Sequence, residues 1–421
     1  MSILRINGER ELQGSVSVHG AKNSVLPIIA ATILASGETV LHNCPNLSDV
    51  EAATKILRHL GCAAQRDGGS LVINSVSMSR CDIPHNLMRE MRSSVIFLGA
   101  ILARKGEAKL SMPGGCELGP RPIDIHLSAL RQLGAEISEE GGNIICRASR
   151  LRGCRLNLSF PSVGATEKAM LAASLADGWT VITNAAREPE IWDLQKYLGR
   201  LGIYVRGAGT STIMVKGKSV AAHAKTGATH RVISDRIVAS TFMAAAAVTK
   251  SDVELTDVIP VHFAAVTKTL REMGCQIETD SDRVRIRSNG RLKAVRPIMT
   301  EPYPGFPTDV QPQLMAAALC AAGTTVFVEN IFENRYRHVE ELRRLGADIE
   351  TEGRVAMVTG TRKLHGAQVM ATDLRGGAAL LVAALSAEGI TDISELSHID
   401  RGYDNIEDTL RGLGADVVRV E

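Results

Sequence analysis

One pattern of apolar and polar positions recurs along this chain. Residues 49–57 place apolar side chains at the spacing of one face of an α-helix. The pair Leu60-Gly61 follows, and a glycine after the last turn is a typical helix stop. Two short segments with alternating side chains come after such a corner, as in 348–350 and 355–358. The pattern therefore predicts an amphipathic helix, a glycine corner and a pair of strands.

The glycine corner occurs six times in the sequence. Each corner has Leu three residues before it and Arg one or two residues before it. The intervals between successive corner glycines are 73, 68, 72, 72 and 68 residues, so a half of three repeats recurs after 212 or 213 residues. The corners are Leu60-Gly61, Leu133-Gly134, Leu201-Gly202, Met273-Gly274, Leu345-Gly346 and Leu413-Gly414.

A second helix is predicted upstream of each amphipathic one. It is small and apolar on almost every face, as in residues 378–382, which is typical of a buried helix. A strand such as 324–328 follows each of these helices. The predicted starts of the six buried helices are Lys22, Arg92, Thr166, Asp235, Asp309 and Asp373.

The six repeats predict an α/β protein made of two bodies with three repeats each. The composition changes near His230 and in residues 14–21, which predicts the two crossings between the bodies. We therefore expect a first domain at 22–232 and a second domain formed by 1–21 with 233–421. The N-terminal strand then belongs to the second domain.

Charged residues stand in or near the first turn of the predicted buried helices. If the three helices of one body are parallel, their free N–H groups converge on one face and attract an anion. For any single Asp, as at 309 and 373, an ordinary N-cap is the simpler interpretation. Cations at Lys22 and Arg92 oppose the helix dipole, and a bound phosphate or carboxylate would account for them.

Composition excludes several classes of function. The formal net charge of +2 and the 3% of aromatic residues give no case for nucleic-acid binding. The eight cysteines are scattered without a C-x-x-C pair, which predicts reduced thiols and no metal site. The N-terminus lacks a signal peptide and the longest apolar runs are too short to span a bilayer, so we expect a soluble cytoplasmic protein with no membrane insertion.

A glycine-rich segment, residues 113–126, carries a single thiol. Its glycines allow the backbone to approach a ligand closely. Arg121 and His126 follow Cys116 within ten residues and are near enough in sequence to tune its pKa. Isolated cysteines are also often inert packing residues, so the residues alone leave a reactive and a structural interpretation open.

Several ordered motifs extend over essentially the whole chain and are similar to those of one family. They are Gly20-Ala21-Lys22-Asn23-Ser24, residues 113–126, Ser162-Val163-Gly164-Ala165-Thr166, and residues 185–191, 306–309, 332–335, 371–375 and 398–403. With them the chain closely resembles the UDP-N-acetylglucosamine 1-carboxyvinyltransferases, the enolpyruvyl transferases that open peptidoglycan synthesis. The resemblance implies an inside-out α/β barrel fold of two domains with three helix-and-sheet repeats each, and an active site in the cleft between them. It also implies a role in cell-wall biogenesis, cell shape, cell cycle and cell division, and no cofactor.

The resemblance implies a reaction and its residues. The 3′-hydroxyl of UDP-N-acetylglucosamine adds to C2 of phosphoenolpyruvate, C3 is protonated, and phosphate leaves a tetrahedral intermediate. The implied catalytic residues are Cys116 as proton donor to C3, Asp309 as base, and Lys22 and Arg401, which with Arg121 bind phosphoenolpyruvate. The implied substrate-binding residues are Lys22, Asn23, Arg92, Arg121, Pro122, Ile123, Asp124, Ile125, Ser162, Val163, Gly164, Asp309, Ile331, Arg335, Asp373, Arg375 and Arg401.

One position departs from a common form of the family pattern. Phe160 stands where some members have Lys, which leaves the contacts to the uridine diphosphate open.

Three other functions are alternatives to the one that the resemblance implies. They are the shikimate-pathway enolpyruvyl transferase, against which the cysteine loop argues; a regulatory paralogue that binds the nucleotide without turnover; and a cysteine hydrolase, which requires a positioned His base.

Overall fold

The computed structural model describes residues 2–91, 93–111, 123–218 and 227–421. The described residues form thirteen α-helices. These are α1 (Lys22–Ala31), α2 (Ser48–His59), α3 (His85–Glu90), α4 (Phe97–Lys105), α5 (Asp124–Gln132), α6 (Val163–Ala173), α7 (Pro189–Arg200), α8 (Arg236–Val248), α9 (Ala264–Glu272), α10 (Gln311–Leu319), α11 (Val339–Arg344), α12 (Leu374–Ser386) and α13 (Ile406–Gly412).

The strands are short and mostly five residues long. In chain order they are β1 (Ile3–Asn7), β2 (Gln13–Ser17), β3 (Glu38–His42), β4 (Ala63–Asp67), β5 (Ser70–Asn74), β6 (Asp82–Ile83), β7 (Glu107–Ser111), β8 (Glu136–Glu140), β9 (Asn143–Arg147), β10 (Arg155–Asn157), β11 (Trp179–Thr183), β12 (Tyr204–Arg206), β13 (Thr212–Lys216), β14 (Thr229–Arg231), β15 (Asp252–Thr256), β16 (Gln276–Thr279), β17 (Arg283–Arg287), β18 (Leu292–Lys293), β19 (Ile298–Met299), β20 (Ala321–Ala322), β21 (Thr324–Val328), β22 (Asp348–Glu352), β23 (Val355–Thr359), β24 (Gln368–Met370), β25 (Ile390–Ser394) and β26 (Asp416–Val420).

All six glycine corners end an outer helix, as the sequence predicts. The corner glycines have φ between +72° and +108°, the left-handed region that only glycine adopts without strain. After each corner, the next backbone N–H donates to the carbonyl of the Leu three residues before the corner, as from Cys275 to Leu270 at 3.0 Å. This bond closes the last turn of the helix in a Schellman motif. The corner therefore turns each outer helix into the strand pair that follows.

Among the described residues, β18 and β20 form a parallel two-stranded pair, and the other strands pair into six four-stranded sheets of one design. In each, an edge strand lies parallel to the strand that follows a buried helix, and two antiparallel strands complete the sheet. The orders are β14-β3-β5-β4, β6-β7-β9-β8, β10-β11-β13-β12, β2-β15-β17-β16, β19-β21-β23-β22 and β24-β25-β1-β26. The N-terminal strand β1 occupies in the last sheet the position that a hairpin strand has in the others, pairing with both β25 and β26.

The core contains the six helices that the sequence predicts to be buried. Helices α1, α4 and α6 lie in one hydrophobic core, and α8, α10 and α12 in the other. Three predicted starts are wrong. Helix α10 begins at Gln311, two residues after the predicted start Asp309. Helix α6 begins at Val163, three residues before Thr166, because the Ser162 side chain caps it. Helix α4 begins at Phe97, after a 3₁₀ turn at Ser94–Ile96, and the predicted start Arg92 lies outside the described residues.

The chain divides into two compact units. The first unit consists of the described residues from 20 to 233, and the second of 2–19 with 234–421. Each unit holds three of the four-stranded sheets and three buried helices. The predicted α/β fold of six helix-and-sheet repeats, with helices inside and sheets outside, is confirmed. No helix in the described part of the chain has the length and apolar character needed to cross a membrane.

Candidate functional site

Asp309 is the centre of a charged cluster in the second unit. It lies two residues before α10, and its carboxylate accepts hydrogen bonds from two guanidinium groups. Arg335 Nη2 is 3.0 Å from Oδ1, and Arg375 Nη2 is 2.9 Å from Oδ2. The arginine side chains are 2% and 6% exposed, whereas 27% of the Asp309 side chain is exposed. Two buried cations therefore hold one carboxylate that solvent can still reach.

The two arginines set the protonation state of Asp309. Burial alone would raise its pKa, but the charges of Arg375 and Arg335 outweigh that effect and hold the pKa of the carboxyl well below its ordinary value. Burial likewise opposes the charge of Arg375, and Asp309 more than compensates, so the pKa of that guanidinium is raised. Asp309 is thus fully ionised in this arrangement.

The interpretation as an N-cap holds for one of the two Asp residues and fails for the other. The Asp373 carboxylate accepts from the backbone N–H groups of Arg375 and Gly376 at 2.9 and 3.1 Å, and so caps α12. In α10 the N-cap position is Val310, and no side chain caps the helix. The carboxylate of Asp309 is engaged by arginines instead.

A buried glutamate joins two predicted site segments. Glu329 is 0% exposed, and its Oε2 accepts from the Thr308 hydroxyl at 3.0 Å. Its Oε1 accepts from the backbone N–H of Ile331 at 2.8 Å. Glu329 therefore fixes the predicted nucleotide contact Ile331 against the residue that precedes Asp309. Arg401 is half-buried in the segment that follows the 3₁₀ turn at Leu396–His398.

His338, which precedes α11, lies close to this cluster. It is fully buried, and burial lowers its pKa to about 4 despite the opposing charge of Asp373. The imidazole is therefore neutral at physiological pH. It adds no further positive charge beside Arg335.

Lys22 begins α1 in the first unit and is buried. Its Nζ lies 2.5 Å from Oδ2 of Asp49, a residue of α2 that is 0% exposed. Asn23, the next residue, is half-buried. One residue further along α1, the Ser24 hydroxyl donates to Asp193 at 2.6 Å. The start of α1 is therefore held by two buried carboxylates.

The predicted nucleotide turn lies at the N-terminus of α6. The Ser162 Oγ accepts from the backbone N–H of Ala165 at 3.3 Å, and Val163 and Gly164 form the first turn. This turn meets the start of α5, where the predicted contacts Ile123, Asp124 and Ile125 lie. A Cβ atom at Gly164 would be 3.0 Å from Cε1 of His126. The structure thus brings these two predicted segments together.

Four predicted site residues lie outside the described residues: Cys116, Arg92, Arg121 and Pro122. The other seven cysteines are described, and none is exposed. Burial raises the pKa of all seven, to about 11 for Cys44, Cys62, Cys146 and Cys275. Thiols of this kind stay protonated and unreactive at neutral pH.

Three buried carboxylates of the site, those of Asp49, Asp193 and Glu329, were not predicted from the sequence. Asp49 and Asp193 stand in amphipathic helices, where an acidic residue is ordinarily solvent-exposed, and nothing in the pattern marks them as buried. Glu329 follows directly after β21, and a polar residue at a strand end is the one signal that pointed to it. Among the described residues, no group of three His, Cys, Asp or Glu side chains could hold a metal ion.

Comparison with known sequences places the chain among named relatives. The family model described as EPSP synthase (3-phosphoshikimate 1-carboxyvinyltransferase) matches residues 6–410. The chain is 49% identical over 420 residues to UDP-N-acetylglucosamine 1-carboxyvinyltransferase 2 of Caldanaerobacter subterraneus, with 100% of both chains covered. It is 46% identical over 421 residues to the UDP-N-acetylglucosamine 1-carboxyvinyltransferase of Geobacter metallireducens, again with 100% of both covered.

Solved structures show the same fold. The enolpyruvyl transferase NikO from Streptomyces tendae matches with a TM-score of 0.90 and 26% identity, over 100% of this chain and 99% of that one. EPSP synthase from Acinetobacter baumannii matches with a TM-score of 0.75 and 21% identity over 100% of both chains, a likeness of fold alone. The chain belongs to the enolpyruvyl transferases of the EPSP synthase family and, within them, to the UDP-N-acetylglucosamine 1-carboxyvinyltransferases.

Proposed function

We propose that this protein transfers the enolpyruvyl group of phosphoenolpyruvate to the 3′-hydroxyl of UDP-N-acetylglucosamine and releases phosphate. The observation that carries the proposal is the agreement over the whole chain, at 46–50% identity, with proteins that bear the name of this enzyme. The buried arginines around Asp309 support it, because both substrates are anionic and arginine pairs well with phosphate and carboxylate.

Asp309 is proposed as the base that takes the proton of the 3′-hydroxyl. Between Arg335 and Arg375 it is a weak base, because its pKa is held well below the ordinary value. A substrate phosphate or carboxylate that binds these arginines competes with Asp309 for them. The loss of those contacts raises the pKa of Asp309 and makes it a better proton acceptor. Arrival of the anionic substrate and activation of the base are thereby coupled.

The bond changes follow from this assignment. The 3′-oxygen attacks C2 of phosphoenolpyruvate while Asp309 takes its proton and an acid adds a proton to C3. The tetrahedral intermediate then loses phosphate from C2 and a proton from C3, which restores the vinyl group. Cys116, outside the described residues, keeps its predicted role as the acid. We also propose it as the target of fosfomycin, an anionic epoxide that mimics phosphoenolpyruvate.

Lys22, Arg121 and Arg401 keep their predicted role in holding phosphoenolpyruvate. The buried ion pair with Asp49 supports this role for Lys22, because it fixes the ammonium group at the start of α1. The capped N-terminus of α6 supports the predicted nucleotide contacts at Ser162, Val163 and Gly164. That these groups act in one site with Asp309 stays a prediction. So do the cytoplasmic location and the role in cell shape and division.

A second candidate acceptor is shikimate 3-phosphate, since the matching family model is described by that activity. The solved EPSP synthase is only 21% identical and supports the fold alone. The deciding experiment measures phosphate release from phosphoenolpyruvate with each acceptor in parallel. We expect release with UDP-N-acetylglucosamine and background release with shikimate 3-phosphate. Release with shikimate 3-phosphate alone, or with neither acceptor despite binding, would contradict the proposal.

A further inference from the structure

Lys168 is a lysine in the interior of the first unit. It lies on α6, and only 1% of its surface is exposed. Its Nζ is 2.8 Å from Nδ1 of His126, a residue of α5. No carboxylate of the described residues is within ion-pair distance of Nζ. The interaction partner of this buried amine is therefore an imidazole, which carries no compensating negative charge.

The pair lies beneath the predicted nucleotide turn. Side chains on a helix point back toward its N-terminus, so Lys168 reaches from the second turn of α6 toward the first. The imidazole of His126 packs on Gly164, where a Cβ atom would come within 3.0 Å of Cε1. His126 also directly follows Ile125, the last residue of the predicted nucleotide contacts in α5. One hydrogen bond thus connects both segments that are expected to hold the sugar nucleotide.

The short N···N contact restricts the charge of the pair. One nitrogen has to donate a proton and the other has to offer a lone pair, so Lys168 and His126 cannot both be protonated at the shared position. Burial lowers the pKa of Lys168 to about 7, with the Glu167 carboxyl and the Cys146 thiol acting in the opposite direction. The pair therefore gains or loses one proton near neutral pH.

The acidic residue next to Lys168 in the chain, Glu167, is itself buried. Burial, together with Glu190 and Glu188, raises the pKa of Glu167 well above its ordinary value. From α4, Gly99 packs against the Lys168 backbone. Two titratable groups act on Lys168 directly, the Glu167 carboxyl on α6 and the Cys146 thiol on β9. Arg131 on α5 acts in turn on Cys146, and Glu188 and Glu190 act on Glu167.

A positive charge at this place also opposes the dipole of α6, whose N-terminus is itself partly positive. An anion bound at the turn would stabilise the protonated pair, because the anion is attracted both by the charge of the pair and by the N-terminus of α6. We propose that Lys168 and His126 form a proton-binding pair beneath the nucleotide turn, and that the pair becomes protonated when the diphosphate of the sugar nucleotide binds. The inference rests on the proposed function and names a positioning and charge-supplying role for two residues.

The proposal predicts a proton balance that can be measured. The two phosphates of a nucleotide sugar are diesters without a proton to exchange near neutral pH, so any proton taken up on binding goes from solvent to the protein. A rise of one unit in the pKa of the pair corresponds to a gain in affinity of about fivefold as the pH falls from 9 to 7, and of about tenfold at lower pH. Binding should therefore weaken as the pH rises over this range.

The test is isothermal titration of the wild-type protein with UDP-N-acetylglucosamine in two buffers of different ionisation enthalpy. We expect proton uptake for the wild type near pH 7.5. Lys168→Met should fold, bind about fivefold more weakly at pH 7 and take up no proton. Lys196→Met, which alters an exposed lysine on α7, is the matched control and should behave as wild type.

Each outcome of this titration supports or overturns the inference. Wild-type binding without proton uptake, or equal uptake in Lys168→Met, would overturn the inference and leave the proposed function intact. If Lys168→Met does not fold, the wild-type proton uptake and pH dependence still decide. Absence of wild-type binding to UDP-N-acetylglucosamine would overturn the proposed function and this inference together.

Discussion

The starts of two buried helices solve the same electrostatic problem in different ways. Near the start of α10, Asp309 is ionised and two buried arginines compensate it, at 3.0 and 2.9 Å. Near the start of α6, Lys168 contacts an imidazole at 2.8 Å and has no ion pair among the described residues. The first charge is stabilised by opposite charges, whereas the second is reduced by loss of a proton.

Because the two charges are stabilised differently, Asp309 and Lys168 make the stability of the fold depend on pH in different ranges. The pKa of Asp309 is lowered, so its contribution to stability is present above the ordinary pKa of an aspartate and is lost as the pH falls below it. The pKa of Lys168 is lowered to about 7, so it destabilises the fold increasingly as the pH falls from 10.5 to 7. One repeat design therefore carries an acid-resistant cluster and a group that titrates near neutrality.

The largest effect is expected at Asp309. Asp309→Asn keeps the shape but cannot take a proton, so we expect kcat to fall by about 10²–10⁴-fold. The two buried arginines also lose their counter-charge, which should lower the free energy of unfolding by about 2 kcal/mol. Steady-state kinetics and urea unfolding check both values. Asp348→Asn, which changes an exposed aspartate on β22, is the control for stability.

Turnover of Asp309→Asn within a few-fold of wild type would mean that the base lies elsewhere. Unchanged stability would mean that the arginines do not need this carboxylate.

The next largest effect is a gain in stability instead of a loss. Lys168→Met removes a buried amine whose pKa is about 7 when folded and 10.5 when unfolded, so it should raise the free energy of unfolding by up to about 4 kcal/mol at neutral pH. Between pH 7 and 10.5 the unfolded wild type binds more protons than the folded one, so the gain shrinks as the pH rises. It is largest below pH 7 and vanishes above 10.5.

Urea unfolding of wild type, Lys168→Met and the exposed control Lys196→Met over this pH range measures the gain. A destabilised Lys168→Met protein at pH 7 would show that Lys168 stabilises the fold. That result would contradict the view that the charge of Lys168, unlike that of Asp309, is not compensated.

A third buried carboxylate, that of Asp193, accepts three hydrogen bonds. Asp193 accepts from the Ser24 hydroxyl at 2.6 Å, from His230 Nε2 at 3.0 Å and from the Ile233 N–H at 3.2 Å. Asp193→Ala leaves three donors, two of them fully buried, without this acceptor and should lower the free energy of unfolding by about 3 kcal/mol. Thermal or urea unfolding checks it, with Asp49→Ala as the parallel loss of a partner for Lys22. A change below about 1 kcal/mol would show that water replaces the carboxylate.

The smallest changes in stability are expected at the glycine corners, which all six repeats share. Gly414 has φ +96°, so Gly414→Ala should cost about 1–2 kcal/mol. Gly412, two residues earlier in α13, is exposed, and a Cβ atom added there would meet no other atom within 4 Å, so Gly412→Ala should stabilise by about 0.5–1 kcal/mol. Unfolding of the two variants, and of Gly134→Ala in the other unit, measures this. If Gly412→Ala and Gly414→Ala changed the free energy of unfolding in the same direction, the result would contradict the left-handed geometry of the corner glycine.

The sequence predicted the repeated parts of the fold well. The corners at Gly61 to Gly414, the outer helices and strands such as β21 and β23 follow from local signals: a glycine at positive φ, apolar spacing and alternation. The start of α6 lies at Val163, three residues before the predicted Thr166, because the Ser162 side chain caps the helix there. Local sequence marks a helix well and its first residue less well.

The charged contacts could not be predicted in this way. Arg335 and Arg375 were named from the resemblance, but their shared hold on Asp309 joins residues 26 and 66 positions apart. Lys168 and its partner His126 are likewise 42 residues apart. Such pairs depend on tertiary packing, which a pattern of apolar and polar positions does not encode.

The central claim is that this chain adds UDP-N-acetylglucosamine to phosphoenolpyruvate and then eliminates phosphate. Mass spectrometry of the product formed in D₂O tests it most directly, because protonation of C3 makes a methyl group that can lose either hydrogen isotope. The account predicts a product one enolpyruvyl group heavier than UDP-N-acetylglucosamine, with deuterium in its vinyl group. A product without deuterium, or an enolpyruvyl group found only on shikimate 3-phosphate, would contradict it.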